Sequence, residues 1–235
     1  MKQVRDHFIS RVFSLVIGLA IGLVFFGTVS AFTAMPTETP FISGTVSYGT
    51  GPVQPKFITN ATVIAVCSDG SVTSTVTDAN GQYVLTGMGT APCTISVAKE
   101  SGQNGIASAD AARIAQHNAG TFTLTTNTQK IAADTSGNGI ISSQDAAFIT
   151  RFVASFAPPI GRTHIWKFFL PNPTFPIGSS PTTREYSCAC TLTNQDFIGI
   201  LIGEVTGNWT NTGARPENSI NTTALLSLSV IGTID

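Results

Sequence analysis

A polar segment in the second half of the chain has the residue types and the spacing of a calcium-binding loop. Calcium prefers about six to eight oxygen ligands on a backbone that curls around the ion. Counted from an aspartate at position one, the segment offers oxygen atoms at positions one, three, five, seven and twelve. The predicted ligands are Asp134, Ser136, Asn138, the carbonyl of Ile140, and Asp145. Gly139 stands at position six, where the loop must turn sharply, and Ser142 at position nine is placed to hold a ligating water.

The same residues have a simpler interpretation. Asp134 to Gly139 also fits an ordinary polar turn, with Asp145 as the capping residue of a following helix. The calcium interpretation is favoured because the ligands, the glycine and the helix all fall in one register.

The helix after this loop repeats an earlier helix. Ser108–Gly120 is predicted to be a capped helix that ends at glycine, and Ser143–Phe156 has the same apolar period of about three and a half residues. Each helix and the two residues before it share the motif Ile-x-Ser-x-Asp-Ala-Ala-x-Ile, which begins at Ile106 and at Ile141 and in which Asp110 matches Asp145. The chain therefore contains a duplicated loop–helix unit. Residues 121–130 between the two copies are predicted to be an extended connection.

The first copy lacks the front half of its loop, because no acidic residue stands in the register of a first ligand before Asp110. Near the other end of the chain, Glu204, Thr206 and Asn208 repeat the acid-x-hydroxyl-Gly-Asn pattern, with no such helix behind them. We therefore predict a split second calcium site, with these three residues as front ligands and Asp110 as the back ligand. The alternative for residues 204–208 is a surface turn.

Residues that commonly carry out catalysis form no recognisable constellation. The three histidines (His7, His117 and His164) lie far apart, and no metalloprotease, P-loop or nucleophile-elbow motif is present. Nothing in the sequence selects a pair of carboxylates for glycoside hydrolysis. The chain is therefore predicted not to be an enzyme. Trp166, Phe168 and Phe169 are candidates for a sugar-stacking face, although aromatic residues at strand spacing more often belong to a core.

Composition limits the classes of protein to which the chain can belong. The 235 residues suffice for one large or two small domains, and only 11% of them are charged. The formal net charge is −1, which excludes the basic surface of a nucleic-acid-binding protein.

The start of the chain has the features of an export signal. Basic residues precede an apolar run of 18 residues, from Val12 to Val29, and small residues follow it. Residues 1–31 are predicted to be a signal peptide or an uncleaved membrane anchor, followed by a linker over 32–40. The rest of the chain is then extracellular, either secreted or on the cell surface, and contacts a membrane only through this segment.

Export makes the four cysteines candidates for disulfide bonds. The simplest pairing joins Cys67 to Cys93, between two predicted strands. Cys188 and Cys190 are separated by one residue, so they stay reduced, pair unusually or bridge to another chain.

Residues 41–99 alternate between apolar and polar side chains in short runs separated by turn residues, which predicts a small β-sandwich. The segment Thr77-Asp-Ala-Asn-Gly-Gln-Tyr83-Val-Leu forms a turn between two of these runs. With the preceding Gly44-Thr-Val and Ala61-Thr-Val, it resembles carboxypeptidase regulatory-like (transthyretin-like) domains. The resemblance implies a non-catalytic spacer or binding platform.

Residues 100–157 resemble dockerin domains, which carry two calcium loops without the entering helix of an EF-hand. The resemblance implies a cohesin as protein partner, with Ser143 and Gln144 at the positions that contact it. Two strands around residues 163–170 and 184–190 predict an added β-hairpin, and the apolar run 196–203 predicts a short helix. We assign residues 100–216 to this module, and 217–235 to a β-like C-terminal tail.

The expected architecture is mainly β with a small α/β part, namely an N-terminal sandwich followed by a dockerin-like pair of loop–helix units. The expected function is calcium-dependent protein binding or scaffolding. One alternative is a self-assembling fibre or surface-layer subunit, joined through the apolar tail. Another is an accessory protein that binds polysaccharide.

Overall fold

The computed structural model describes residues 40–211, except for 53, 90, 157–159 and 188–189. These residues belong to one compact unit. The predicted leader (1–31), linker residues 32–39 and the C-terminal tail (217–235) lie outside the described residues, as does Cys188.

The described ranges contain nine strands and three α-helices, which confirms a mainly β chain with a small helical part. The strands are β1 (Phe41–Tyr48), β2 (Lys56–Phe57), β3 (Thr62–Cys67), β4 (Val72–Val76), β5 (Gln82–Thr86), β6 (Cys93–Ala98), β7 (Trp166–Phe169), β8 (Arg184–Tyr186) and β9 (Phe197–Leu201). The helices are α1 (Ser108–Asn118), α2 (Asn127–Ala133) and α3 (Ser143–Val153). A short 3-10 helix spans Ile177–Ser179.

The strands form two sheets with a shared apolar core. One sheet has the order β2-β1-β9-β7, with β5 also paired to β1, and the other has the order β4-β3-β6-β8. Alternation places every second side chain of β3 inside, so Val63 and Ala65 are buried whereas Val66 is half exposed. Cys67 and Cys93 face each other across β3 and β6 and form the predicted disulfide bond.

Strands from both predicted segments share these sheets. β1 pairs in parallel with β9, and β6 pairs with β8, so residues before and after position 99 hydrogen-bond to each other in both sheets. The division at residue 99 marks the end of the first run of strands, and the unit continues across it.

The predicted hairpin of residues 163–170 and 184–190 is wrong. β7 pairs with β9 in one sheet, and β8 pairs with β6 in the other. The two strands are adjacent in sequence, but β9 is a longer partner for β7 than β8 is, and β6 is a longer partner for β8 than β7 is.

The predicted short helix over 196–203 is also wrong, because this run forms the central strand β9. A short continuous apolar run fits a buried strand as well as a buried helix. Here β1 and β7 flank the segment on both sides, and Phe197, Ile200 and Leu201 are fully buried. Residues buried on both faces of a sheet show no alternation that would reveal the strand.

The segment between the duplicated helices is not an extended connection, since residues 127–133 form α2. The hydroxyl of Thr126 accepts a hydrogen bond from the amide of Gln129 at 3.2 Å, and the Gln129 side chain returns to the Thr126 amide. A second core lies between the helices and the sheet that contains β9, with Ile114, Ile131 and Ile149 at its centre.

Candidate metal centre

The contiguous loop (residues 134–145) is held between two helices. α2 ends at Ala133 with Asp134 as its C-cap residue, and α3 begins at Ser143 with Ser142 as its N-cap residue. The short α2 therefore stands where an EF-hand has its entering helix, unlike the expectation from the dockerin resemblance.

Asp134 is the centre of the contiguous loop. Its Oδ1 accepts hydrogen bonds from the hydroxyl of Ser136 (3.2 Å) and from the amides of Gly137 (2.9 Å) and Asn138 (3.1 Å). Its Oδ2 accepts one hydrogen bond, from the amide of Gly139 at 2.9 Å. The backbone thus curls around a buried carboxylate, as it does around the first ligand of a calcium loop.

Asp145 joins the contiguous loop to α3. Its Oδ1 accepts a hydrogen bond from the amide of Ser136, and its Oδ2 accepts one from the amide of Ser142, both at 2.8 Å. The hydroxyl of Thr135 donates to the Asp145 carbonyl at 3.0 Å. The predicted twelfth residue of the loop therefore lies beside the third, inside the first turn of the helix.

Two glycines allow the loop to close. Gly137 and Gly139 have φ angles of 74° and 81°, which strongly favour glycine. The guanidinium of Arg162 packs on the open face of Gly137, leaving no room for a side chain there, and the Arg162 amide donates to the carbonyl of Thr135 at 2.6 Å. Sequence reasoning missed Arg162, because nothing in the loop pattern points to a residue that follows α3.

The donor set of the contiguous loop fits calcium. Its members are two carboxylates, a hydroxyl, an amide oxygen and a backbone carbonyl, which are all hard oxygen ligands. The Oδ2 of Asp134 keeps a free lone pair, and Asn138 and Ile140 stand at the exposed rim. Within the described ranges, no cluster contains three or more His, Cys, Asp or Glu side chains.

The structure brings together all four residues of the predicted split site. Asp110 is fully buried at the start of α1, and its Oδ1 accepts hydrogen bonds from the amides of Val205 (2.7 Å) and Thr206 (2.8 Å). Its Oδ2 accepts one from the amide of Ala107 at 2.8 Å. Asp110 therefore repeats the bonds of Asp145, although the loop that it binds comes from about 95 residues further along the chain.

Glu204 repeats the bonds of Asp134. Its Oε1 accepts hydrogen bonds from the hydroxyl of Thr206 (3.1 Å) and from the amides of Gly207 (2.6 Å) and Asn208 (2.8 Å). Residues 204–208 together with Asp110 form a split loop with the same internal hydrogen bonds as the contiguous loop.

The split loop differs from the contiguous loop at the second oxygen of its first residue. Oε2 of Glu204 accepts a hydrogen bond from the hydroxyl of Tyr48, a buried residue at the end of β1. In the contiguous loop the corresponding oxygen accepts a backbone amide. Tyr48 could not be found from the sequence, because it lies 156 residues from Glu204 and belongs to no local pattern.

Burial changes the acidity of this cluster. Loss of solvent raises the pKa of Asp110 and of Glu204 above their ordinary values. Backbone amides oppose the rise at Asp110, whereas at Glu204 the hydrogen bond from Tyr48 opposes it most and the charge of Asp110 adds to it. Burial also raises the pKa of Tyr48 well above its ordinary value, and the neighbouring charge of Glu204 raises it further. Tyr48 is therefore a hydrogen-bond donor at neutral pH.

All three tyrosines of the chain are expected to stay protonated at pH values where free tyrosine ionises. Burial is the main cause of a raised pKa for Tyr48, Tyr83 and Tyr186. Since the unfolded chain ionises near pH 10, the stability from protonated phenols is intact below about pH 10 and is lost as the pH rises further. Ultraviolet titration should detect tyrosinate only above that pH, together with unfolding. A fraction that ionises near pH 10 in the folded protein would contradict this.

The remaining predicted residues lie in two different environments. Ser143 and Gln144, the predicted partner contacts, are exposed on the first turn of α3. Trp166 is only 7% exposed, and its indole N–H donates to the carbonyl of Ser101 at 3.1 Å. Phe168 and Phe169 are also buried, so these aromatic residues pack in the core and present no sugar-stacking face.

Comparison with protein-family models finds no match, and comparison with curated proteins finds none either. Among the residues that the structure describes, no helix has both the length and the apolar character needed to cross a membrane.

Proposed function

We propose that this chain is a secreted or cell-surface, non-catalytic module that binds one calcium ion in the contiguous loop and binds a protein partner. The calcium fastens α2 to α3 and so fixes the surface that the helices present.

The observation that carries this proposal is the convergence of Asp134 and Asp145 on the same few residues. The carboxylate of Asp134 accepts hydrogen bonds from the amides of positions four to six, which are residues 137–139. The carboxylate of Asp145 accepts one from the amide of position three, Ser136. A divalent cation bound by both carboxylates would join the end of α2 to the start of α3 and so stabilise the folded loop.

The partner-binding surface is the start of α3 beside the calcium loop. Ser143 and Gln144 are exposed there, and Ile140 on the adjoining rim is 65% exposed. A large exposed apolar side chain flanked by small polar residues is typical of a contact site for another protein. Since Ile140 and Ser143 both lie inside the calcium loop, partner binding should depend on calcium. The candidate partners are a cohesin-like domain or a second copy of the chain.

The calcium step is tested by calorimetry and melting of the mature protein, with Asp134→Asn as the variant. We expect the wild type to bind calcium and its melting temperature to rise by about 5–10 °C at a calcium concentration one hundred times the dissociation constant. Asp134→Asn should abolish both effects, because an amide removes the charge and points its NH2 group at a backbone amide that donates to Asp134, that of Gly139 in one orientation or those of Gly137 and Asn138 in the other. Asp69→Asn is the matched control, since Asp69 also accepts from a neighbouring amide, Ser71, but in an exposed turn.

The partner step uses the same proteins. Each is sized alone and with a purified cohesin domain, in calcium and in chelator. A complex or a dimer should form only in calcium and only with an intact Asp134. Absence of calcium binding by the wild type would refute the first step, and a wild type that binds calcium but stays monomeric and free of cohesin would refute the second.

A further inference from the structure

The split loop raises the question of whether the module holds a second calcium ion. Its first five positions match those of the contiguous loop, with Glu204 in the place of Asp134. Asp110 takes the place of Asp145, the twelfth residue of the contiguous loop. The match ends at position six. There the contiguous loop has Gly139, which turns the chain back toward α3, whereas the split loop has Trp209, which is buried.

Calcium ligands are missing beyond that point. Trp209 carries the chain into the core, and the next amide, that of Thr210, donates to the side chain of Asn104 at 3.0 Å. The split loop therefore does not curl back to offer a carbonyl at position seven. Ala107 stands where the contiguous loop has Ser142, so no side-chain oxygen is available to hold a water at position nine. The donor set does not fit calcium, which needs at least about six oxygens.

In the split loop, side chains of the sheet bind oxygen atoms of the loop in place of a cation. Tyr48 on β1 and Lys56 on β2 are directly opposed in the sheet, so their side chains lie on the same face. The hydroxyl of Tyr48 donates to Glu204, and the ammonium of Lys56 donates to the carbonyls of Gly207 and Trp209, the latter at 3.1 Å. The ammonium also lies 5.9 Å from the centre of the Tyr48 ring, within range of a cation–π interaction.

We propose that the split loop is a metal-free clasp, in which the phenol of Tyr48 and the ammonium of Lys56 do the work that calcium does in the contiguous loop. The ammonium binds two carbonyls of the segment 204–209 from the side of the sheet, and the phenol donates to the second carboxylate oxygen of Glu204. The clasp joins the first sheet, α1 and the segment after β9. The number of calcium ions per chain is then one, a statement that rests on the proposed function of the contiguous loop.

The test combines calcium stoichiometry with melting in calcium and in chelator. We expect one calcium per wild-type chain, and the same number for Tyr48→Phe and Lys56→Met. Each variant should lose about 4–8 °C in melting temperature, by the same amount in calcium and in chelator. Tyr186→Phe and Lys99→Met are matched controls, because Tyr186 donates to the Gln195 side chain and Lys99 to the Thr59 carbonyl, outside the clasp.

Two results would overturn the clasp. One is a wild type with two calcium ions per chain that falls to one in Glu204→Gln. The other is a melting loss in Tyr48→Phe or Lys56→Met that is no larger than in its matched control, or that excess calcium restores. A wild type with no bound calcium would refute the proposed function of the contiguous loop but not the clasp, which the loss of stability in the two variants would still support.

Discussion

Replacing Trp209 by alanine is expected to lower the free energy of unfolding by about 3–5 kcal/mol, a large part of the stability of an ordinary domain. Trp209 is 1% exposed, and its ring lies 4.8 Å from that of Tyr48 and 5.3 Å from that of Trp166. Its indole N–H donates to the carbonyl of Gly102 at 2.7 Å. Alanine therefore leaves both a cavity between the two sheets and a carbonyl without its partner.

Urea unfolding followed by circular dichroism measures this change, because the variant loses one of the two tryptophans that fluorescence would follow. Thr210→Ala is the control. Its side chain is exposed, and its backbone amide, which bonds to Asn104, is retained. We expect the control to stay within about 0.5 kcal/mol of the wild type. A Trp209→Ala loss below about 1 kcal/mol would show that the segment after β9 does not hold the sheets together.

The front half of each loop could be predicted from the sequence, because it is built from short-range contacts. Asp134 bonds only to residues within five positions of itself, and Glu204 does the same through its Oε1. Such a pattern is visible as spacing in a single sequence. The long-range pairing of residues 204–208 with Asp110 was also predictable, but only because the contiguous loop provided a complete template for comparison.

The residues that set the two loops apart could not be predicted. Tyr48 and Lys56 reach the split loop through the pairing of β1 with β2 and with β9, and no local pattern encodes a contact across about 150 residues. Arg162 reaches the contiguous loop in a similar way, from the segment that follows α3. A spacing rule identifies candidate ligands, but it does not show what fills the space around them.

The errors in the fold have the same origin. The run from Phe197 to Leu201 was predicted to be helical because its burial on both faces removes the alternation of a strand. One neighbour, β1, lies at the start of the described chain, and the other, β7, precedes β9 in the second half; both determine its conformation. Because β9 is a central strand, residues 204–208, which follow it, lie beside the start of α1. The clasp is thus a consequence of sheet topology.

The two loops should respond differently to the loss of their helical aspartate. Asp110→Ala leaves the buried amides of Ala107, Val205 and Thr206 without an acceptor and should lower the free energy of unfolding by about 3 kcal/mol or more. Asp145→Ala should lower the free energy of unfolding by a similar amount in chelator, since it leaves the amides of Ser136 and Ser142 without an acceptor. In calcium the two variants should separate, because only Asp145 is a ligand in the proposed site.

Urea unfolding in calcium and in chelator gives the stabilisation by calcium for each protein. For Asp110→Ala we expect the wild-type increment, about 2.7 kcal/mol at one hundred times the dissociation constant, and for Asp145→Ala none. Asp110→Asn, which keeps one carboxamide oxygen for the amides, is the control and should recover part of the stability without changing the increment. Loss of the calcium increment in Asp110→Ala would mean that the split loop binds the ion after all. The comparison therefore separates a loop closed by a metal from one closed by the side chains of its own sheet.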